Sequence, residues 1–214
     1  MSNQENPQVA SFDQHVEKYD RWFDEHSVLF ESEIKALDKV APHCEYALEV
    51  GVGTGRFASE CGIDWGIDPS ENMLRMAEQR GTNVLISSAE KIPFLSNTFG
   101  YVLMVTVDCF LDDLAEAYKE VHRVLKPEGV LVIGMIDKNS WLGKKYEQKK
   151  QNDPFYKDAE FHSPEELTGK LELVGFGNFE FWQTLITASE DFPEDPRPGY
   201  GEGGFVVIKA VKQV

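Results

Sequence analysis

Residues 47–57 read Ala47-Leu-Glu-Val-Gly-Val-Gly-Thr-Gly-Arg-Phe57, and Trp65-Gly-Ile-Asp68 follows a short helix-forming stretch. An apolar strand therefore runs directly into three glycines at alternate positions. Glycine reaches left-handed backbone conformations easily and has no Cβ that would obstruct a ligand. Asp68 ends the next apolar strand, where a carboxylate suits a bidentate hydrogen bond to a ribose diol. The combination predicts a site for a nucleoside-bearing cofactor.

Two cofactors compete for this loop. The dinucleotide fingerprint is G-x-G-x-x-G, whose third glycine lets helix and strand pack closely around a pyrophosphate. Here the spacing is G-x-G-x-G, and Arg56 stands where that fingerprint needs glycine. Glu49 lies two residues before the first glycine, where its charge would repel a pyrophosphate and attract an ammonium group. The loop therefore favours S-adenosylmethionine, which has an amino-acid head, a sulfonium and a ribose, over NAD.

The chain resembles the class I S-adenosylmethionine-dependent methyltransferases, and within them the methyltransferase type 11 branch that includes ubiquinone- and menaquinone-biosynthesis-like enzymes. Segments similar to the family's motifs follow in the family's order: Asp68-Pro-Ser-Glu-Asn-Met-Leu74, Ser88-Ala-Glu-Lys-Ile-Pro-Phe94, Asn97-Thr-Phe-Gly-Tyr101 and Glu120-Val-His-Arg-Val-Leu-Lys-Pro-Glu-Gly129. Ser88 departs from the pattern, because the family usually places there an acid that holds the adenine amino group. Glu90 or a backbone group would have to take that role.

The resemblance, with the rule that ligands bind beyond the carboxyl ends of parallel strands, implies a set of cofactor contacts. Glu49 and the glycine loop would face the methionine part, Asp68 would hold the ribose, and the Thr106 carbonyl would meet the adenine amino group. For Asp68 and Met73 the alternatives are a helix cap and a core side chain. The predicted cofactor-binding residues are Glu49, Gly51, Val52, Gly53, Gly55, Asp68, Pro69, Met73, Ala89, Glu90 and Thr106.

Composition excludes several classes of function. The formal net charge of −16 disfavours nucleic-acid substrates, because the counterion release that drives such binding needs basic residues. The longest uncharged apolar runs, such as residues 130–136, are too short to cross a bilayer, and the polar N-terminus lacks a targeting pattern. Three widely spaced cysteines without a C-x-x-C predict neither disulfides nor a metal site. We expect a cytoplasmic monomer or homodimer without metal or membrane insertion.

Short apolar strands alternate with helical patterns, which predicts a mainly parallel sheet. The expected fold is α/β, a single Rossmann-like methyltransferase domain with a seven-stranded sheet, helices on both faces and an antiparallel edge strand. Residues 1–41 would form an N-terminal helical cap, 42–136 the cofactor-binding core, and 137–214 the acceptor-side segment and closing strands. The helix after the glycine loop is expected to be short and to end near residues 61–62, where glycine can form a left-handed cap. The predicted strands are 46–50, 65–67, 84–87, 101–106, 130–136, 179–185 and 204–212.

Methyl transfer from a sulfonium requires mainly alignment of donor and acceptor and exclusion of water. A general base is needed only if the acceptor loses a proton. The candidates are Asp108, after the fourth strand, and Asp137, after the fifth; for either one the alternative is a helix cap or a turn residue. Aromatic residues in the long segments indicate an apolar, ring-bearing or cationic acceptor. The predicted acceptor-pocket residues are Tyr19, Trp22, Asp137, Trp141 and Tyr200.

The sequence thus predicts an S-adenosylmethionine-dependent methyltransferase that acts on a small molecule and releases S-adenosylhomocysteine. The first alternative is a non-catalytic module that binds S-adenosylmethionine as a sensor or accessory subunit. An open acceptor cavity would favour the enzyme, and a filled one the module. The second alternative, an NAD-dependent oxidoreductase, would require NADH binding without S-adenosylmethionine binding.

Overall fold

A computed structural model describes residues 7–42, 44, 46–187 and 189–213. In this part of the chain eight strands, numbered in chain order, form one sheet with the spatial order β3-β2-β1-β4-β5-β8-β6-β7. Their bounds are Ala47–Val50 (β1), Trp65–Asp68 (β2), Asn83–Ile86 (β3), Phe99–Val105 (β4), Leu125–Ile136 (β5), Phe176–Thr184 (β6), Arg197–Pro198 (β7) and Phe205–Lys212 (β8). Strands β1 to β5 pair in parallel, and β8, β6 and β7 continue the sheet antiparallel.

Helices cover the sheet and precede it. Their bounds are Pro7–Gln14 (α1), Val16–Glu25 (α2), Ser27–Leu37 (α3), Arg56–Cys61 (α4), Glu71–Gln79 (α5), Leu114–Val124 (α6), Trp141–Lys149 (α7) and Pro164–Leu173 (α8). As predicted, α4 is short; it ends at Cys61 and is followed by Gly62, which caps it with a left-handed φ of +66°. Among the described helices, none combines the length and apolar character required to cross a bilayer.

The predicted class of fold is confirmed, and the strand count differs by one. Seven strands were expected, whereas the connection after β6 folds back and adds Arg197–Pro198 to the outer edge. Strand β5 begins at Leu125 rather than at residue 130, because Leu125 pairs with Phe99 before the ladder shifts register. The division at residues 41 and 136 stays a prediction.

Alternation along the central strands places two apolar layers on opposite faces of the sheet. Val102 and Met104 pack in the layer that contains Tyr118 of α6, whereas Leu103 and Val105 pack in the layer that contains Phe23 of α2. This two-residue period is the direct consequence of strand geometry. In β1 the same alternation places Glu49 on the face that carries the N-terminal helices.

Candidate active site

The glycine loop connects β1 to α4 through three left-handed residues. Gly51, Gly53 and Gly55 have φ values of +74°, +52° and +80°. A Cβ on Gly51 would lie 2.5 Å from Cγ2 of Val107, and one on Gly55 would lie 2.8 Å from Cα of Ala77. Glycine is therefore required at both positions by backbone conformation and by close packing.

Asp68 fastens this loop to the end of β2. Its Oδ2 accepts a hydrogen bond from the Gly53 N–H at 3.0 Å, and its Oδ1 accepts one from the Ser70 N–H at 2.9 Å. Burial raises the pKa of the Asp68 carboxyl to about 6, while the Ser70 and Gly53 N–H groups oppose the rise. The carboxylate therefore shapes the turn into α5 and also borders a cavity at the ends of the parallel strands.

A cavity of about 300 Å³ runs along the carboxyl ends of the parallel strands. Because β3, β2, β1 and β4 are neighbours in that order, the segments that follow these strands meet at one edge. The segment after β3 borders one end of the cavity, and the segment after β4 borders the other. The cavity is lined by Val9, Phe12, Tyr19, Gly51, Gly53, Asp68, Pro69, Ser70, Met73, Ser87, Ser88, Ala89, Glu90, Val105, Thr106, Val107, Phe110, Leu111, Asp112 and Tyr156.

The charged residues that line this cavity are all acidic. Asp68, Glu90 and Asp112 border the cavity, and no lysine, arginine or histidine is among the described residues that line it. Burial raises the pKa of Tyr19 far above its usual value, and the charges of Asp68 and three other carboxylates raise it further. A cationic ligand suits such surroundings and a pyrophosphate does not. The lining therefore fits a sulfonium cofactor better than a dinucleotide.

Glu49 is the least solvated acid near the loop, with 1% of its surface exposed. Within the described part of the chain its Oε2 has no hydrogen-bond partner. Burial raises the pKa of Glu49 well above its usual value, and the Ala58 N–H lowers it only in part. A buried carboxylate without a full set of partners is costly, and an ammonium group would satisfy it. The residues present therefore fit the amino-acid head of S-adenosylmethionine.

The structure brings most of the predicted cofactor residues to the cavity. Those that line it are Gly51, Gly53, Asp68, Pro69, Met73, Ala89, Glu90 and Thr106, whereas Glu49, Val52 and Gly55 lie outside the lining. Thr106 has a positive φ of +50°, and its N–H donates to the Gly134 carbonyl at 2.7 Å. Ser88 also borders the cavity, so a polar group remains where the family usually has an acid.

Asp108 lies apart from the cavity lining, although its neighbours Val107 and Phe110 belong to it. It begins a single 3₁₀ turn and is 4% exposed. Burial raises the pKa of Asp108 to about 7, while backbone N–H groups of the turn oppose the rise. Burial is the main reason that the pKa of Tyr118 is raised, and the charge of Asp108 raises it further. Tyr118 packs on the sheet face opposite to that of Phe23. The role of Asp108 as base stays a prediction.

Of the predicted acceptor residues, only Tyr19 lines the cavity. Trp22 packs against Phe23 and His26, and Tyr200 packs against Phe181. Asp137 and Trp141 form hydrogen bonds with backbone groups instead. Asp137 Oδ1 accepts from the Asn139 N–H, and Trp141 Nε1 donates to the Leu185 carbonyl, both at 2.9 Å. Aromatic composition alone did not separate side chains that shape the cavity from those that fill space elsewhere.

An aromatic wall borders the cavity beside the segment that follows β4, and two of its members, Phe12 and Phe110, were not predicted from the sequence. The Phe12 ring lies 5.1 Å from that of Phe110, 5.2 Å from that of Phe155 and 5.7 Å from that of Tyr19. The Phe110 ring lies 5.5 Å from that of Tyr156. These residues come from three segments far apart in the chain, so no local pattern could assemble them. The available signal was the apolar period of residues 11–23 and the aromatic pair at 155–156.

The N-terminal helices are fastened to the cofactor side by two polar clusters. In the first, Asp13 of α1 accepts hydrogen bonds from Ser70 Oγ at 2.7 Å and from Asn72 Nδ2 at 2.8 Å. In the second, Asp20 of α2 accepts from Arg56 Nε at 2.9 Å and from Arg80 Nη2 at 2.8 Å. Arg56, which replaces the third glycine of the dinucleotide pattern, thus joins the end of the glycine loop to α2.

A family model described as a methyltransferase domain matches residues 48–133. An uncharacterized protein of Methanocaldococcus jannaschii is 44% identical over 202 residues, covering 94% of this chain and 98% of that protein. The crystal structure of an S-adenosylmethionine-dependent methyltransferase from Thermotoga maritima, described as a possible histamine N-methyltransferase, superposes with a TM-score of 0.91. It is 41% identical and covers 95% of this chain and 99% of that one.

A more distant relative carries a specific name. The demethylmenaquinone methyltransferase of Staphylococcus carnosus is 27% identical over 170 residues, which are 68% of this chain and 69% of that enzyme.

Proposed function

This chain belongs to the class I S-adenosylmethionine-dependent methyltransferases, and from that membership we propose that it transfers the methyl group to a small-molecule acceptor. S-adenosylmethionine is its cofactor and S-adenosylhomocysteine the expected product. The observation that carries the proposal is the cavity at the strand ends. Acids and a glycine loop border one part of it, and Phe12, Phe110 and Tyr156 border another.

Each part of the lining has a proposed task. Asp68 would accept hydrogen bonds from the ribose hydroxyls, and Glu49 would pair with the amino group. Met73 and Ala89 would contact the adenine, and the Thr106 carbonyl would accept from its amino group. These residues fix the donor, so that an acceptor beside Phe110 is held in line with it.

When bound, S-adenosylmethionine supplies a methyl group on a cationic sulfur; an acceptor lone pair forms the new bond as the carbon–sulfur bond breaks and its electron pair stays on sulfur. The aromatic wall excludes water, which would otherwise dilute the electrostatic effect of the acids. Helices α1 and α2 contribute Phe12 and Tyr19 to that wall. The hydrogen bonds of Asp13 and Asp20 keep both helices against the cofactor side.

Two further observations favour a small molecule. The names of the relatives refer to histamine and to a demethylmenaquinone, which are both small compared with a protein or a nucleic acid. The net charge of −16 and the acidic lining oppose binding of a phosphate backbone. We also propose a reducing compartment such as the cytoplasm, since all three cysteines are free thiols.

The test is transfer of labelled methyl from S-adenosylmethionine into an extract separated by size. Label in the small-molecule fraction that depends on the protein supports the proposal. Label confined to protein or nucleic acid, or donor binding without any transfer, contradicts it; the latter result would favour the non-catalytic module. Size-exclusion chromatography with light scattering separates the two predicted states, monomer and homodimer.

A further inference from the structure

The α-carboxylate of S-adenosylmethionine is a negative group that has to be bound in acidic surroundings. Glu49 suits the ammonium group of the same amino-acid head, but its charge repels the carboxylate beside that ammonium. The charged residues of the cavity lining are Asp68, Glu90 and Asp112, and no described residue of that lining is basic. A neutral hydrogen-bond donor is therefore the kind of group that can hold this carboxylate.

The backbone N–H groups of the glycine loop are mostly used within the protein. Those of Gly51 and Val52 both donate to one carbonyl of β2, at 2.8 and 3.0 Å. That of Gly53 donates to Asp68 Oδ2 at 3.0 Å, and that of Gly55 donates to the Val52 carbonyl at 2.9 Å. The loop can therefore approach a ligand closely, but it has few donors left for a carboxylate.

Tyr19 brings a hydroxyl to this loop from α2. A Cβ built on Gly53 would lie 3.6 Å from Cε1 of Tyr19 and 3.7 Å from its hydroxyl oxygen. The hydroxyl end of the ring is thus close to the loop, and Tyr19 also lines the cavity. Burial, and to a smaller extent the charges of nearby carboxylates, raise the pKa of Tyr19 far above its usual value. The hydroxyl therefore stays protonated and can donate.

Ion pairs of the next residue in the chain fix Tyr19 at this position. Asp20 accepts hydrogen bonds from Arg56 Nε at 2.9 Å and from Arg80 Nη2 at 2.8 Å. Arg56 begins α4 directly after the glycine loop, and Arg80 Nη1 donates to the Thr54 carbonyl within that loop at 2.7 Å. Both arginines thus connect α2 to the loop, which holds the tyrosine beside it.

We propose that the hydroxyl of Tyr19 donates a hydrogen bond to the α-carboxylate of S-adenosylmethionine and so recognises the complete amino-acid head of the donor. The inference rests on the proposed function, since it uses the proposed position of the methionine part at the glycine loop. Glu49 would hold the ammonium group from β1, and Tyr19 would hold the carboxylate from α2. The two opposite charges of the head are then bound by groups of different chemistry. Tyr19 acts here as a binding residue.

The experiment compares two donors that differ by this carboxylate. S-adenosylmethionine and decarboxylated S-adenosylmethionine share the sulfonium, the amino group and the nucleoside, and calorimetry measures the affinity of each. Tyr19→Phe keeps the ring and removes the hydroxyl. It should weaken binding of S-adenosylmethionine at least about tenfold and change binding of the decarboxylated donor by less than about twofold. Equal losses for the two donors, or no loss for either, overturn the proposal.

Two further variants serve as controls, with melting temperatures to verify the fold. Tyr146→Phe removes the hydroxyl of a tyrosine that packs on Tyr156 outside the cavity lining, so both affinities should stay unchanged. Thr106→Val removes a hydroxyl of the lining and keeps the shape of the side chain. A loss that is confined to S-adenosylmethionine in Thr106→Val and absent in Tyr19→Phe would place the carboxylate at the end of β4 and overturn the proposal.

Crystals of the wild type with S-adenosylhomocysteine give a result that does not depend on the folding of any variant. The proposal predicts a carboxylate oxygen of the ligand about 2.7 Å from the Tyr19 hydroxyl. A separation beyond about 3.5 Å overturns it.

The proposed function has its own separate outcome, because these measurements follow donor binding alone. If Tyr19→Phe shows no selective loss while label still enters small molecules, the role of Tyr19 fails and the proposed function stands. If the loss is selective and no small molecule is labelled, the proposed function fails and the role of Tyr19 stands.

Discussion

The donor side and the acceptor side of the cavity are built in different ways. On the donor side, the segments after β1, β2 and β3 form the wall, and its shape depends on the backbone. Gly51 has a left-handed φ of +74°, and the Gly53 N–H donates a hydrogen bond to Asp68. On the acceptor side, side chains such as Phe12 and Tyr156 form the wall. They come from helices and loops far apart in sequence. A left-handed backbone position tolerates few residue types besides glycine. A packed side chain, by contrast, can be replaced by another apolar side chain of similar volume.

The largest effect is expected from Gly51→Ala on the donor side. The added Cβ would meet Val107 at 2.5 Å in a left-handed conformation, so strain and overpacking together should cost about 2–5 kcal/mol and abolish donor binding. Gly62→Ala is the matched control, because its φ of +66° is similar but nothing lies within 4 Å of the added atom. Urea unfolding and calorimetry with S-adenosylhomocysteine measure both effects.

Gly62→Ala should cost only the strain of a left-handed alanine, about 1–2 kcal/mol. The double variant Gly51→Ala/Val107→Ala should recover only part of the loss, since it removes Val107 Cγ2 at 2.5 Å but keeps the Cβ of residue 107 at 2.9 Å. Equal costs at the two glycines would show that packing against Val107 does not constrain the loop.

This contrast explains what could be predicted from sequence. Asp68, Gly51 and Gly53 line the cavity at which their spacing had been expected to place them, because that spacing reports backbone geometry, which is local. Trp141 and Tyr200 were assigned to the acceptor pocket by residue type, and the structure places neither in the lining. Phe110 left no local signal, since its place in the cavity wall depends on contact with Phe12, which a distant segment of the chain contributes.

The second-largest effect is expected at Asp20, whose carboxylate joins α2 to Arg56 and Arg80. Asp20→Ala leaves the guanidinium groups of Arg56 and Arg80 without their shared acceptor, and both groups are mostly buried. We expect a loss of about 2–3 kcal/mol, below the value for a fully buried pair because solvent reaches both arginines. Asp24→Ala, which removes a 66% exposed partner of the same Arg56, should cost much less, because solvent screens an exposed ion pair. Thermal unfolding measures both.

The ion pairs of Asp20 should make the stability of the folded protein fall at low pH. Burial opposes ionisation of Asp20, but the hydrogen bonds from Arg56 and Arg80 outweigh it and lower the pKa to about 2. The stabilisation is therefore present above the usual pKa of 3.8 and is lost as the pH falls towards 2. Stability curves of the wild type and Asp20→Ala should converge over that range. Parallel curves would contradict the assigned ion pair.

The third effect tests the ribose contact. Asp68→Asn should weaken S-adenosylhomocysteine binding about ten- to a hundredfold, because hydrogen bonds to a charged acceptor are lost. Asp64→Asn is the control, since that carboxylate binds the Ala47 N–H at the start of β1, away from the cavity. Calorimetry that finds equal affinities for the Asp68 variant and the wild type would reject the contact.

The raised pKa of Asp68 predicts opposite pH trends for donor binding and for the stability of the folded protein. Since its pKa is raised to about 6, donor binding should weaken as the pH falls below 6. Without donor, the neutral carboxyl favours the folded protein, so its contribution to stability is full below 3.8 and is lost as the pH rises through 6. Asp68→Asn should remove both trends.

The smallest effect is expected at Asp108. A general base typically contributes 10²- to 10⁴-fold to the rate, but this carboxyl does not line the cavity. Asp108→Asn should therefore leave kcat within about threefold. Steady-state rates with an identified acceptor measure it, and a loss of about a hundredfold would instead support Asp108 as the base.

The most direct test of the division into donor and acceptor sides is a crystal structure with S-adenosylhomocysteine. The account predicts ribose hydroxyls about 3 Å from the Asp68 carboxylate, adenine beside Ala89, and sulfur facing Phe110 and Tyr156. Density for the nucleoside elsewhere, or sulfur turned away from the aromatic wall, would contradict it.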